Sequence, residues 1–396
     1  MGAKRQETRS GRSRQGTPLL TQSVYLFDEN GQKKDKFPTK PSDKGQKSYL
    51  IRGLEFSPDS QKIAVAQSDN IVFVYKIGLE WGEKKAICNK FPVQASVTCM
   101  VWPKDHPNEL LFGVADGKVR LGVLKSNKSN VLYSADSYTI SLAASRDGAT
   151  VISGHVDGSV YAYSMDNQSF KKILTHHSVP YALGFGENIM AAGNDKKVTF
   201  YDTYGNVLQR FDYSHEDKVK DFTVAAFNPS GDTVALGNFN RYYVYNLNTK
   251  RGQWEENTCK QIENYYTVTA LCWKNDGSKL VTANLCGSVD IYDASVKKYK
   301  KGKYLLNYVS PSQVLIQVEG TNKESVLKSY NGLEITKINF YNDRYAVGNT
   351  FETLIITDIE ANRTSEIYWK GAGNEKFDFS APNLCMISNA GELTLV

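Results

Sequence analysis

No run of apolar residues in this 396-residue chain approaches the roughly 20 that a membrane-crossing helix needs. No charged-then-apolar leader opens it, so secretion by that route is not expected. The six cysteines (Cys88, Cys99, Cys259, Cys272, Cys286 and Cys385) form no C-x-x-C pair. That removes the commonest sign of a zinc site or redox dithiol, and it suits a reducing, cytoplasmic compartment. The P-loop, G-x-S-x-G and H-E-x-x-H patterns are missing, and Gly184-Phe185-Gly186 lacks the third glycine and the helix of a dinucleotide site. Proline is sparse, with 11 residues, as expected of short hydrogen-bonded strands. Excess charge is also small. Of the formal net +6, +4 falls in residues 1–22 (Lys4, Arg5, Arg9, Arg12 and Arg14 against Glu7). The near-neutral remainder gives no reason to expect nucleic acid as a partner.

What the chain has is one unit, repeated. Residues 54–77, LEFSPDSQKIAVAQSDNIVFVYKI, read as three short strands. Ser57-Pro58-Asp59-Ser60 and Ser68-Asp69-Asn70 are the turns between them, and Ile71 to Ile77 is β-branched and aromatic. Residues 98–124, 140–165, 181–203, 223–247 and 269–294 repeat that order. The second turn falls at Asp69, Asp116, Asp157, Asp195, Asn240 and Gly287. Repetition at roughly 40–45 residues, with about four strands per unit, is the signature of a WD40-type β-propeller. The fourth strands come from linking segments such as 86–91, 131–133, 170–174 and 207–211. Small residues ending the second strands, as in Ala64-Val65-Ala66 and Ile152-Ser153-Gly154, let neighbouring backbones approach.

Upstream, residues 23–37 match only the last two strands of a unit: Val24 to Phe27 aligns with Thr199 to Tyr201, and Asp28 to Gly31 with Asp202 to Gly205. The expected fold is all-β: a seven-bladed WD40-type propeller with an incomplete first blade, followed by the start of a second propeller. Residues 1–22 are expected to be a disordered basic tail, 23–300 the first propeller, and 301–396 the truncated opening blades of the second. The lysine-rich stretch 295–303 is expected to be a solvated linker between them.

The residues that could carry chemistry do not assemble into a reaction centre. The repeated aspartates sit at turns, where aspartate bonds its own backbone and tolerates positive φ. His155 is beside one such turn, and His176-His177 has no carboxylate or cysteine at ligand spacing. Cys99, Cys272, Trp102 and Trp273 hold matching first-strand positions and are expected in the core. No enzyme activity, metal or cofactor is expected. Binding residues of a rigid ring sit on its rim loops. The candidates are Trp81, Lys84 and Lys85 in the loop after the first full unit, and Trp254 near Arg251.

Five stretches carry a family likeness: 47–91, ADGKVRL at 115–121, LCGSVDIYD at 285–293, YVSPSQVLI at 308–316, and the segments around GNEKFDF and LCMISNAGELTLV in 373–396. They closely resemble the amino-terminal WD40 region of the 172-kDa subunits of intraflagellar transport complex B. The likeness runs from about Ser23 to Val396 and does not cover residues 1–22. It implies a non-catalytic scaffold in cilium and flagellum assembly. Its partners would be other complex B subunits, kinesin-driven trains indirectly, and a membrane surface where the propeller faces one. Its location would be the cilium or flagellum and basal body, with a cytoplasmic pool. Coatomer-like vesicle coats share the double-propeller architecture and are the alternative.

Overall fold

The computed structural model describes residues 2–7, 22–43, 48–78, 80–249, 251–261, 266–295, 298–310, 312–321, 323–370, 375–381, 384–389 and 392–395. Among these no helix forms, and none is long and apolar enough to cross a membrane. The strands assemble into ten antiparallel sheets in chain order, each a meander in which consecutive strands pair. Two compact units divide them, Met1–Ala294 with seven sheets and Ser295–Val396 with three. The division falls at 294/295 rather than at 300/301, because Lys298–Lys301 is a strand paired with Tyr304–Ser310. The lysine-rich stretch is therefore not simply a linker.

Burial follows position within a sheet. The second strands are covered on both faces: Lys62–Gln67, Glu109–Val114 and Thr150–His155 are buried along nearly their whole length. Sheets pack on either side of them, so they read as continuous apolar runs without period-two alternation. Fourth strands such as Ser169–Thr175 and Val207–Asp212 are largely exposed. In sheets two to six the pairing of third with fourth strand slips by one residue, as between Val74 and Tyr75 or Phe200 and Tyr201, and the last two strands of sheet one slip likewise between Leu26 and Phe27. Such bulges increase the local twist.

Each sheet of the first unit shares a core with the next. Val24, Leu26 and Phe37 of the first sheet pack with Ile63, Val65 and Phe73 of the second. Phe91 of the second sheet packs with Phe112 of the third. Further clusters join third to fourth, fourth to fifth, fifth to sixth and sixth to seventh. Back at the start, Lys274 Nζ of the seventh sheet lies 3.1 Å from Glu29 Oε2 in the first sheet's hairpin, and Lys279 Nζ donates to the Glu29 carbonyl at 3.0 Å. Close approach explains the small second-strand residues. A Cβ on Gly113 would stand 2.5 Å from Thr139 Cγ2 of the next sheet, and one on Gly237 2.7 Å from Val268.

The first sheet has three strands. Gln22–Phe27 and Lys33–Pro38 are the two anticipated, and Gly2–Glu7 pairs on the other side of Gln22–Phe27. The opening residues of the basic segment therefore form a strand, contrary to the expectation of a wholly disordered tail. Residues 8–21 lie outside the described residues.

Candidate interaction surface

The recurring second turns are built alike. Backbone in the left-handed region falls at Asn70 (φ 60°), Gly117 (84°), Gly158 (83°), Lys196 (58°), Asn240 (51°) and Gly287 (82°). Asp69, Asp116, Asp157 and Asp195 each sit one residue earlier, so the aspartate itself does not take positive φ. Its carboxylate instead accepts the backbone N–H two residues on: Lys118 N to Asp116 (3.3 Å), Ser159 N to Asp157 (3.0 Å) and Lys197 N to Asp195 (3.3 Å). Asp69 accepts Ser42 N at 2.7 Å. These aspartates fasten turns.

The titratable groups inside the first unit are also tied into the fold. His155 is buried, with Nε2 2.8 Å from Ser153 Oγ and Nδ1 2.9 Å from the Ser137 carbonyl. Burial lowers its pKa. His176 is buried with Nδ1 2.8 Å from the Tyr201 hydroxyl, and burial pushes its pKa down to about 4. Glu55, half-buried on the strand Ile51–Phe56, is pushed up to about 7 by burial, against a hydrogen bond from the Trp102 backbone. Among the described residues no group of three or more His, Cys, Asp or Glu could hold a metal ion. Trp102 is buried and Trp273 half-buried; each indole N–H donates to a carbonyl, His106 and Ala226 respectively. Cys99 and Cys272 do not share a position: counted from the bulge after Val97 and Val268, Cys99 corresponds to Ala270 and Cys272 to Val101. Cys99 is half-buried and Cys272 exposed, so neither is a core residue.

The four candidate rim residues separate into two pairs. Trp81 is 42% exposed and Lys84 is exposed. Lys85 turns inward: its Nζ lies 2.7 Å from Asp35 Oδ2, and its side chain is 4% exposed. Gly82 N donates to the same carboxylate at 2.9 Å, so Asp35 anchors the loop that presents Trp81. Trp254 is 2% exposed and belongs to the core. Its ring stacks on Phe200 of the fifth sheet (4.4 Å between centroids, 9° between planes), and its Nε1 donates to Asn188 Oδ1 at 3.0 Å. Lys85 and Trp254 are therefore removed as contact residues.

The structure adds a cleft with no motif in the sequence. About 500 Å³ lies between the segment after the first sheet, the outer edge of the second sheet and a turn of the third. Phe73, Ile87 and Pro41 supply apolar walls, Lys40 and Lys90 stand in it exposed, and Cys88 opens on it. Asn127 Oδ1 accepts Lys90 N (3.1 Å) and Asn89 Nδ2 (3.2 Å), which ties the second and third sheets together beneath it.

No family model matches the chain. Intraflagellar transport protein 172 of Chlamydomonas reinhardtii is 50% identical over 384 residues, which is 94% of this chain. The chain is homologous to the amino-terminal region of intraflagellar transport protein 172. The human homologue is 46% identical over 94% of this chain, and the Caenorhabditis elegans protein osm-1 is 38% identical over 97%. The chain spans 22% of the length of each of these relatives. A WD40-like propeller chain in the crystal structure of the mitotic checkpoint complex superposes with a TM-score of 0.58 at 16% identity. It covers 70% of this chain and 85% of its own. Homology and likeness agree with the all-β, WD-repeat architecture that the repeats predict.

Proposed function

We propose that this chain is a non-catalytic WD-repeat scaffold of intraflagellar transport complex B, working in cilium and flagellum assembly. The observation that carries the reading is 38–50% identity, across nearly the whole chain, to intraflagellar transport proteins of an alga, a mammal and a nematode. The site chemistry is consistent with it. The buried histidines and turn aspartates are occupied in holding strands together.

In this reading the seven sheets of the first unit close into a ring, and the second unit begins another. Shared cores between successive sheets, and the Glu29 contacts to Lys274 and Lys279, support closure. A ring whose interior is filled by its own strands offers rims and outer edges for contact. Trp81 and Lys84, on a loop anchored through Asp35, remain candidates there. The proposed partners are other complex B subunits, with kinesin-driven trains reached through them and a membrane surface as a further contact. The proposed location is the cilium, its basal body and a cytoplasmic pool. Tagged protein expressed in ciliated cells should concentrate at the ciliary base and along the axoneme. Diffuse or Golgi staining would contradict the proposal, and the latter would favour a vesicle coat.

A further inference from the structure

We infer that the cleft between Lys40 and Lys90 is a docking site for an extended acidic peptide carrying an apolar side chain. The inference deepens the scaffold reading by naming the chemistry of one partner segment, and it rests on that reading. The cleft is concave, and about 500 Å³ is room for one large side chain with its flanking backbone. Phe73, Ile87 and Pro41 give it an apolar side, and Ser42, Asn89 and Asn127 line it as well. None of its described lining residues is acidic, while both of its charged groups are lysines. Neither lysine has an ion-pair partner among the described residues, in contrast to Lys34, Lys62 and Lys85 nearby, which pair with Asp28, Asp59 and Asp35. Asp69 is engaged by Ser42 N, and Asp43, which follows Ser42 in the chain, is exposed and outside the lining.

The architecture keeps the cleft open. Phe73 pairs with Lys90 across the third and fourth strands of the second sheet. At that strand pair the ladder slips between Val74 and Tyr75, which turns the edge carrying Ile87 and Cys88. Asn89, buried, donates through Nδ2 to the Leu124 carbonyl at 2.7 Å, so the floor is fixed to the third sheet. A bilayer surface is flat and would leave this recessed apolar floor uncovered. An extended segment fits it: an apolar side chain enters between Phe73 and Ile87, and carboxylates on either side meet the two ammonium groups. Such charge pairing at a rim chiefly sets association rate and selectivity, while the apolar anchor holds the complex.

The test uses the full chain and a fluorescein-labelled peptide of glutamates flanking one leucine, read by anisotropy. A glutamine version of that peptide, and vesicles of phosphatidylcholine with phosphatidylserine, are the comparisons. The expected result is saturable binding that weakens about tenfold or more in Lys40→Glu/Lys90→Glu. Lys300→Glu/Lys323→Glu, placed in the other unit, should leave it unchanged. The glutamine peptide should bind more weakly, and bound peptide should slow maleimide labelling of Cys88 but not of Cys286. Absence of binding, equal loss from both lysine pairs, or unchanged Cys88 labelling would overturn the inference. So would vesicle binding that depends on Lys40 and Lys90 while the peptide fails, because the site would then read lipid. Failure here leaves ciliary localisation untouched, so the two readings are separable.

Discussion

Gly117 occupies a turn that no other residue enters without cost. Its φ is 84°, and an added Cβ would stand 2.2 Å from the Ala135 carbonyl oxygen. Gly252, at φ 63° with nothing within 4 Å, has the conformational requirement without the clash. Gly117→Ala should therefore destabilise the first unit by about 2–4 kcal/mol, and Gly252→Ala by about 1 kcal/mol, in chemical denaturation. Trp254 belongs to the same scale. Removing a ring buried against Phe200 leaves a cavity, and Trp254→Ala should cost about 3–5 kcal/mol. A surface tryptophan would cost far less, so equal stability would contradict its placement. His176 adds a pH dependence. Its folded-state pKa, about 4, lies below the ordinary 6.5 because burial disfavours the charged ring. The stability that the neutral ring contributes is thus complete above pH 6.5 and is lost as pH falls toward 4. His176→Gln removes that titration, so the stability difference between wild type and variant should change by about 3 kcal/mol between pH 7 and pH 4. Carboxylates common to both proteins cancel in that difference.

At the scale of the strand, pairing and burial are separate matters, and the sequence speaks mostly of burial. Ala64-Val65-Ala66 and its counterparts were legible because packing on both faces demands apolar residues along the run. The hairpin turns were legible because Asp-Gly and Asp-Asn pairs solve one backbone problem repeatedly. Gly2–Glu7 (GAKRQE) and Lys298–Lys301 (KYKK) were not, because backbone hydrogen bonds hold such strands without an apolar face. Trp254 was misread for a related reason. Its neighbours Arg251, Glu255 and Glu256 suggest an exposed loop, whereas the ring that buries it comes from the adjoining sheet. The first sheet offers a direct check. Deleting residues 1–7 should accelerate hydrogen exchange in Gln22–Phe27 at the amides that face Gly2–Glu7, and leave those that face Lys33–Pro38 slow. Unchanged exchange throughout would show that the opening segment does not pair.

At the scale of the whole molecule, the two units have separate cores. Val314, Ile316 and Leu327 centre the largest core of the second, with no member from the first. Ile316→Ala should lower one calorimetric transition by about 2–5 kcal/mol and leave the other in place; a single shifted transition would mean that the units unfold together. The repeat made the architecture readable, since each copy restates the same turns and strands. The cleft was unreadable, since its residues come from a linking segment, the edge of one sheet and a turn of the next, and share no spacing. Everything proposed for the chain as a scaffold depends on the first sheet meeting the seventh, and Glu29 and Lys274 report that contact with native side chains. Zero-length carbodiimide coupling of the folded chain, followed by peptide mass spectrometry, should recover a Glu29–Lys274 isopeptide bond alongside the local Lys300–Glu319 link that serves as its internal control. Recovery of the Lys300–Glu319 link without Glu29–Lys274 would contradict the ring.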